Sequence, residues 1–311
     1  MAGPARAVGY PDYSSTGSSK FIPQIWSGKL VTKFYDATCF AEISNTDYEG
    51  EIKAMGDTVV IRTRPDIAIN DYTIGGGLTY GKPSKNAIEL PIDKAKSFAF
   101  QINSVDKYQS DLNLMDEWAN DATSQMKIEI DRDLLAGIYS QVDANNAGAN
   151  AGKISGEINL GTTGAPVTLT SANILEYITM CGQVLDEQGL PEEGRWIVLP
   201  AWATRRIKNS DLKKANEAGD STSIIRNGKI GEIDGFKIFK NNQVASVVDG
   251  VDTCYHIPFG HKAGLTFASQ MVNMETLPNP DDFGELCRGL NVYGFKVTEG
   301  RYIGNLYAKA G

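Results

Sequence analysis

The chain has 311 residues, 41% hydrophobic and 22% charged, with a formal net charge of −8. This is a globular rather than a disordered balance, and at this size folding buries roughly three quarters of the unfolded surface without a metal or disulfide staple. The acidity excludes a free-standing nucleic-acid binder, which carries a basic footprint.

Residues 1–20 are small, polar and rich in Gly, Ser and Pro, with no apolar stretch of signal-peptide type. They read as an extended arm without a core of its own. Residues 21–50 add scattered large apolar groups, among them Phe21, Ile22, Ile25, Trp26, Leu30, Phe34, Tyr35 and Phe40. These can be buried only against another surface, within the subunit or on a neighbour. Residues 57–103 read as one long strand pair. Thr58 to Arg64 forms the first arm, ended by Pro65; Ile88, Leu90 and Ile92, then Phe98, Phe100 and Ile102, form the return arm. The connection NDYTIGGGLTYGKPSKN holds Gly75, Gly76, Gly77 and Gly81, which predicts a mobile tip, and a loop of this length is functional or disordered.

Ser110 is a good N-cap with Asp111 in the first turn, and helical character continues to about Val142. Met115, Trp118, Ala122, Met126, Ile130, Leu134 and Ile138 recur at three- and four-residue steps and predict one core-facing stripe. A helix over 111–142 would be a rod of roughly 48 Å. The stretch DANNAGANAGK then has no large apolar residue and reads as a loop.

The remainder has an α/β pattern. Ser171 is expected to cap a helix with Ile174, Ile178, Cys181 and Leu185 on one face, stopped by Gly189 and Pro191. Trp196-Ile197-Val198-Leu199 reads as a central strand. It lies in the longest apolar run of the chain, Trp196 to Ala203, far short of the about 20 residues of a membrane span. The expectation is therefore a soluble protein made in the cytoplasm. Pro200 opens a helix over 201–208, and a further one is expected over 211–218. KIGEIDGFKIFK (229–240) predicts a strand-turn-strand with its turn at Asp234-Gly235. Residues 254–277 and 288–308 add strands, with Tyr293, Phe295 and Val297 on one face.

A search for chemistry returns little. Cys39, Cys181, Cys254 and Cys287 are far apart without a CxxC pair and read as free buried thiols. His256 and His261 are the only histidines, and CYHIPFGHK lacks both the helix and the glutamate of a zinc motif. No nucleophile elbow, phosphate loop or dinucleotide fingerprint occurs, and Gly75-Gly76-Gly77 lies in a hairpin rather than before a helix. The carboxylate pairs Asp131/Asp133, Glu192/Glu193 and Asp281/Asp282 read as solvated surface. Arg195, Arg205, Arg206, Lys208, Lys213 and Lys214 form a basic cluster. It is either the wet face of short helices or a positive lining at a subunit junction or toward nucleic acid. Trp202 beside it reads as an anchor under the helix. No catalytic residue, cofactor or metal is expected, and the chain is not read as an enzyme.

The order of these parts is unusual: an arm, a long hairpin with a glycine-rich tip, a very long helix, then an α/β half. It resembles the Hong Kong ninety-seven-type fold of tailed-bacteriophage major capsid proteins, an α+β fold. The phrases YEGEIKAMGDTVVIRT (48–63), FAFQINSVDKYQSDLNLMDEWANDATSQMKIEID (98–131), RWIVLPAWATRRI (195–207), NGKIGEIDGFKIFKNNQV (227–244), HIPFGHKAGLTFASQM (256–271) and GLNVYGFKV (289–297) look like that family, in its order. The resemblance spans roughly residues 25–305. It implies an N-terminal arm (1–50), an extended loop (51–103), a peripheral domain with a spine helix (104–165) and an axial domain (166–255). The stretch 256–311 would complete the axial domain and return strands to the peripheral one.

The resemblance further implies a virion shell, assembled in the host bacterial cytoplasm from pentamers and hexamers of one chain and enclosing double-stranded DNA held by weak non-specific contact. The tip residues Tyr72, Ile74, Gly75, Gly76, Gly77, Leu78 and Tyr80 would contact a neighbouring subunit, and Phe21, Ile22, Ile25 and Trp26 of the arm another. A portal protein at one vertex and a decoration protein are further implied partners. Some relatives carry a scaffolding segment of about a hundred residues before the arm; here a separate scaffolding protein is expected, with no cleaved pro-segment. Lys82 and Lys85 near the tip are not expected to cross-link. The alternatives are a cellular nanocompartment shell enclosing cargo enzymes, a hydrolase with an irregular active site, and another phage structural part.

Overall fold

The computed structural model describes residues 35–36, 38–47, 58–62, 67, 69–77, 80–81, 87–103, 114–210, 231–280 and 282–311. The arm residues Phe21, Ile22, Ile25 and Trp26, the tip residue Leu78, the segment 211–218 with Lys213 and Lys214, and the strand end at Thr63–Pro65 lie outside them.

The axial half is built on one mixed sheet. Its strands are β4 (Val167–Leu169), β5 (Arg195–Leu199), β6 (Glu232–Ile233), β7 (Phe236–Lys240), β8 (Ser246–Asp249), β9 (Asp252–His261) and β12 (Ile303–Ala310). They run in the order β4-β12-β9-β5-β7-β6, with β8 hydrogen-bonded to β9. β5 lies between β7, parallel to it, and β9, antiparallel. Every residue of β5 is buried. Ile197 and Leu199 enter the axial core with Phe236, Phe259 and Leu306, while Trp196 and Val198 face the spine helix. A strand covered on both faces reads as a continuous apolar run, which is why this element was legible in the sequence.

Two helices follow the sequence pattern closely. One (Ile174–Glu187) buries Ile174, Ile178, Cys181 and Leu185, and another spans Ala201–Lys208. The cap of the first differs from expectation. Asn173, not Ser171, stands at the N-cap, its side-chain oxygen accepting from the backbone N–H and hydroxyl of Thr170. The turn between β6 and β7 falls at Asp234-Gly235 as predicted. Both residues have positive φ (52° and 71°), the requirement of a tight two-residue hairpin turn.

The peripheral half pairs β10 (Leu265–Pro278) with β11 (Gly284–Val297), and β11 with β3 (Lys94–Asn103). The first part of the return arm behaves as expected: β1 (Thr58–Arg62) pairs antiparallel with β2 (Ala87–Pro91), Val59 opposite Leu90. The second part does not. β3 leaves the hairpin and joins β11, because β2 ends at Pro91, which has no N–H for the next ladder bond. Val59, Ile61, Leu90 and Ile92 pack with Ala268 and Val292 and dock the hairpin base on the peripheral sheet.

The spine helix (Leu114–Ile138) is shorter than the 111–142 expected from sequence. Residues 111–113 lie outside the described set. Beyond Ile138 the chain tightens into a 3-10 turn over Tyr139–Gln141 and becomes extended at Val142. Its 25 residues give a rod of about 38 Å. The loop after it is anchored: Asn146 donates to the carbonyls of Arg301 (2.7 Å) and Ile303 (3.0 Å) and accepts from Gln188.

In chain order the helices are the one-turn helix Phe40–Ile43 (α1), the spine helix (α2), Ile174–Glu187 (α3) and Ala201–Lys208 (α4).

Candidate assembly surfaces

Among the described residues no group of three or more His, Cys, Asp or Glu side chains is placed to hold a metal ion. His256 stacks on Tyr139, centroids 3.9 Å apart, and meets the side-chain amide of Asn305; burial lowers its pKa. His261 accepts from the backbone N–H of Ala263. Both are held by contacts within the subunit. All four cysteines are buried and free. No helix among the described residues is long and apolar enough to cross a membrane.

Among the described residues three surfaces are unusual. The first is the hairpin connection. Thr73 and Gly76 close a turn, with the backbone N–H of Gly76 donating to the carbonyl of Thr73 at 3.0 Å. Gly75 and Gly77 have φ of 80° and 73°, which only glycine adopts without strain. Around this turn Ile67, Ile69, Tyr72, Ile74 and Tyr80 all face solvent, Ile74 at 91% exposure. Scattered exposed apolar residues are ordinary, but here five of them share one extended segment.

The second is the root of the arm, held on α2 by a buried carboxylate. Asp131 is fully buried, against the expectation that it lies in solvent. Its oxygens accept from the backbone N–H of Cys39 (3.3 Å) and Phe40 (3.0 Å), from the Cys39 thiol (3.5 Å) and from the Asn241 side-chain amide. Burial raises its pKa, and those donors oppose the rise. Three distant segments therefore meet at one side chain: the arm end, the spine helix and the connection after β7. Sequence reasoning missed this because an i, i+2 acid pair on a helix looks like wet surface. The one available signal was position 131, adjacent to the stripe residue Ile130. Its partner Asp133 is half-buried and accepts from Lys94 (3.0 Å) and the Tyr293 hydroxyl (2.7 Å). Partial burial pushes its pKa up, but these hydrogen bonds and the Lys94 charge outweigh that, and the net shift is downward.

The third is a groove between α2 and β3. Of the predicted stripe, Met126, Ile130, Leu134 and Ile138 are buried, joined by Leu135. Ala122 is half-buried and Trp118 is 41% exposed, so these two are not core. Met115 lies in the helix, with its side chain outside the described set. The reason is geometric. Each four-residue step overshoots a 3.6-residue turn by about 40°, so the row from 118 to 138 winds by about 200° around a straight helix. Its N-terminal end rolls off the core and lines an open groove of about 510 Å3 with Phe98, Phe100, Met126, Asp121 and Glu129. Phe100 meets the Trp118 ring edge-on at 5.9 Å.

Of the basic cluster's described members, Arg195 does not share a surface with the others. Arg195 is 2% exposed, its guanidinium bonded to Asp186 (2.6 Å) and to the carbonyls of Leu190 and Pro191. Arg205 is exposed, while Arg206 and Lys208 are half-buried. Trp202 packs against the axial core and lies 5.5 Å from Tyr255, an anchor as expected.

The spine helix, docked hairpin base and axial sheet together make up a two-part α+β fold. No family model matches the sequence, and no curated protein matches it. Solved structures do. A chain of Mycobacterium phage Che8 superposes with a TM-score of 0.73 at 22% identity, over 92% of this chain and 96% of that one. A chain of the capsid of cyanophage P-SCSP1u gives 0.72 at 16%, over 98% and 100%. One from the mature capsid of bacteriophage PhiM1 gives 0.65 at 14%, over 96% and 95%. The fold is the Hong Kong ninety-seven-type phage capsid fold.

Proposed function

We propose that this chain is a major capsid protein, a structural rather than catalytic subunit of a virion shell. Copies tile as pentamers and hexamers into an icosahedral particle enclosing double-stranded DNA. The observation that carries this is the exposed apolar row from Ile67 to Tyr80 on a segment that packs on nothing in its own subunit's described core, in a chain with the capsid fold. Burying that row requires a second subunit, and contacts of this kind build large interfaces. Tyr72, Ile74, Leu78 and Tyr80, around Gly75, Gly76 and Gly77, contact one neighbour. Phe21, Ile22, Ile25 and Trp26 contact another.

The remaining partners follow from the same reading. A separate scaffolding protein guides curvature, a portal protein occupies one vertex, and packaged DNA meets the wall through weak non-specific contact. A decoration protein is a further candidate for the outer face. The test is negative-stain electron microscopy of the chain expressed alone and with a co-expressed scaffolding protein. Closed shells, tubes or sheets are the expected result. A chain that stays monomeric under every condition overturns the proposal.

A further inference from the structure

The joint at Asp131 holds more chemistry than an anchor needs. Cys39, Asp131 and Asn241 are each at most 3% exposed, and their functional groups touch one another. The Asn241 side-chain nitrogen lies 3.4 Å from Cys39 Sγ and donates to Asp131 Oδ2. Cys39 Sγ lies 3.5 Å from Asp131 Oδ1 and 3.8 Å from Oδ2. On the far side of the amide, the Asn241 oxygen accepts the backbone N–H of Gln243 at 2.7 Å. Anchoring the arm uses the backbone N–H groups of residues 39 and 40, and gives no reason for a thiol at position 39. The thiol completes a different set: a nucleophile, a carboxylate to take its proton, an acyl carbon one bond from the contacted nitrogen, and an N–H on the oxygen that would turn negative. Those are the parts of an acyl transfer.

We propose that Cys39 and Asn241 condense to an internal thioester, which ties the arm root covalently to the connection after β7. Asp131 takes the thiol proton as Sγ attacks the side-chain carbonyl carbon of Asn241. The S–C bond forms while the Gln243 N–H holds the oxygen. The C–N bond then breaks, Asp131 passes the proton to the departing nitrogen, and ammonia leaves. One thiol and one amide give one thioester and one ammonia. A thioester lies above an amide in energy, but groups held in contact react with effective molarities of about 10⁵–10⁸ M, and the ammonia is lost to dilute solution. Burial also keeps out the water that would hydrolyse the product. The step is slow, because burial and the neighbouring Asp131 charge keep the Cys39 thiol protonated well above its usual range. Newly folded chain therefore carries the hydrogen-bonded form, and the link accumulates with age. The reaction lies within one subunit and does not depend on the shell reading.

The test follows folded, full-length chain over several weeks at neutral pH, with samples unfolded in acid for mass spectrometry. A growing fraction lighter by one ammonia is expected. Its peptic digest should join a peptide holding Cys39 to one holding Asn241. Cys39 in that fraction should resist alkylation until hydroxylamine frees the thiol and leaves a hydroxamate at position 241. Cys39→Ala should abolish the linked fraction, and Asp131→Asn should slow its growth by about a hundredfold, the scale of a lost general base. If either variant fails to fold, the natural chain still decides. An unchanged mass throughout would overturn the proposal. So would ammonia loss confined to one peptide with Cys39 still open to alkylation, the mark of an imide, or conversion of Asn241 to aspartate with a free thiol.

Discussion

The carboxylate of Asp131 accepts the backbone N–H of Phe40 at 3.0 Å across 91 residues of chain. The same group accepts from Asn241, 110 residues further on. A buried carboxylate is costly unless its lone pairs are filled, and here four donors fill them. The arm is therefore fixed at its root on the joint between peripheral and axial halves, so a pull on the arm is transmitted to that joint.

Asp131→Asn sets an amide N–H against the Asn241 amide, and Asn241→Asp sets two carboxylates together. Each change alone should cost about 2–4 kcal/mol in urea unfolding of the unassembled chain. The double exchange, which restores one donor facing one acceptor, should recover much of that loss. Additive losses in the double-mutant cycle would show that the two side chains do not couple.

This joint was the least legible part of the chain. Strand β5, the α4 boundaries and the Asp234-Gly235 turn follow from local pattern, because burial on both faces, Pro200 and positive φ each leave a mark in a few residues. The sequence places Asp131 in solvent and Arg195 on either a wet face or a positive lining, because charge in sequence says nothing about a partner 91 residues away, or about carbonyls that curl around a guanidinium. The four-residue row predicts Trp118 in the core, but such a row winds around the helix and carries Trp118 to 41% exposure. The contact roles of the arm and loop tip follow from the resemblance rather than from local pattern. The exposure of Tyr72, Ile74 and Tyr80 agrees with that reading without identifying what covers them.

Gly137 sits where α2 crosses β11. A Cβ there would lie 2.7 Å from two carbons of the buried Phe295 ring, well inside contact distance. Alanine favours a helix interior by about 1 kcal/mol over glycine, but forcing this ring should cost about 1–3 kcal/mol. Gly137→Ala should therefore lower thermal stability in the natural chain. In a Phe295→Leu background, where the ring is gone, the same change should raise it. The sign reversal separates a steric block from a loss of backbone freedom.

Ile74→Ser with Tyr80→Ser removes two exposed apolar anchors from the hairpin connection. Because neither side chain is buried in the subunit, unfolding should shift by no more than about 0.5 kcal/mol. Assembly, followed by sedimentation and electron microscopy, should fail or demand much higher protein concentration. Normal particles from this double variant would show that the row around Gly75–Gly77 is not an interface.

Glu187 closes the loop between Gly152 and Gly156. Its slight burial would raise its pKa, but the backbone N–H groups of Ser155 and Ile154, at 3.0 and 2.8 Å, hold it down to about 2. A folded value below the unfolded one means the contribution is complete above the unfolded carboxylate range, near pH 4.5, and is lost as pH falls toward 2. The side chain is half-buried and still reached by solvent, so screening limits the effect to about 1 kcal/mol. Glu187→Gln should then be slightly less stable than the natural chain at pH 7, and the two denaturation curves should converge by pH 2. A gap that stays constant with pH would assign the contribution to packing of the side chain rather than to its charge.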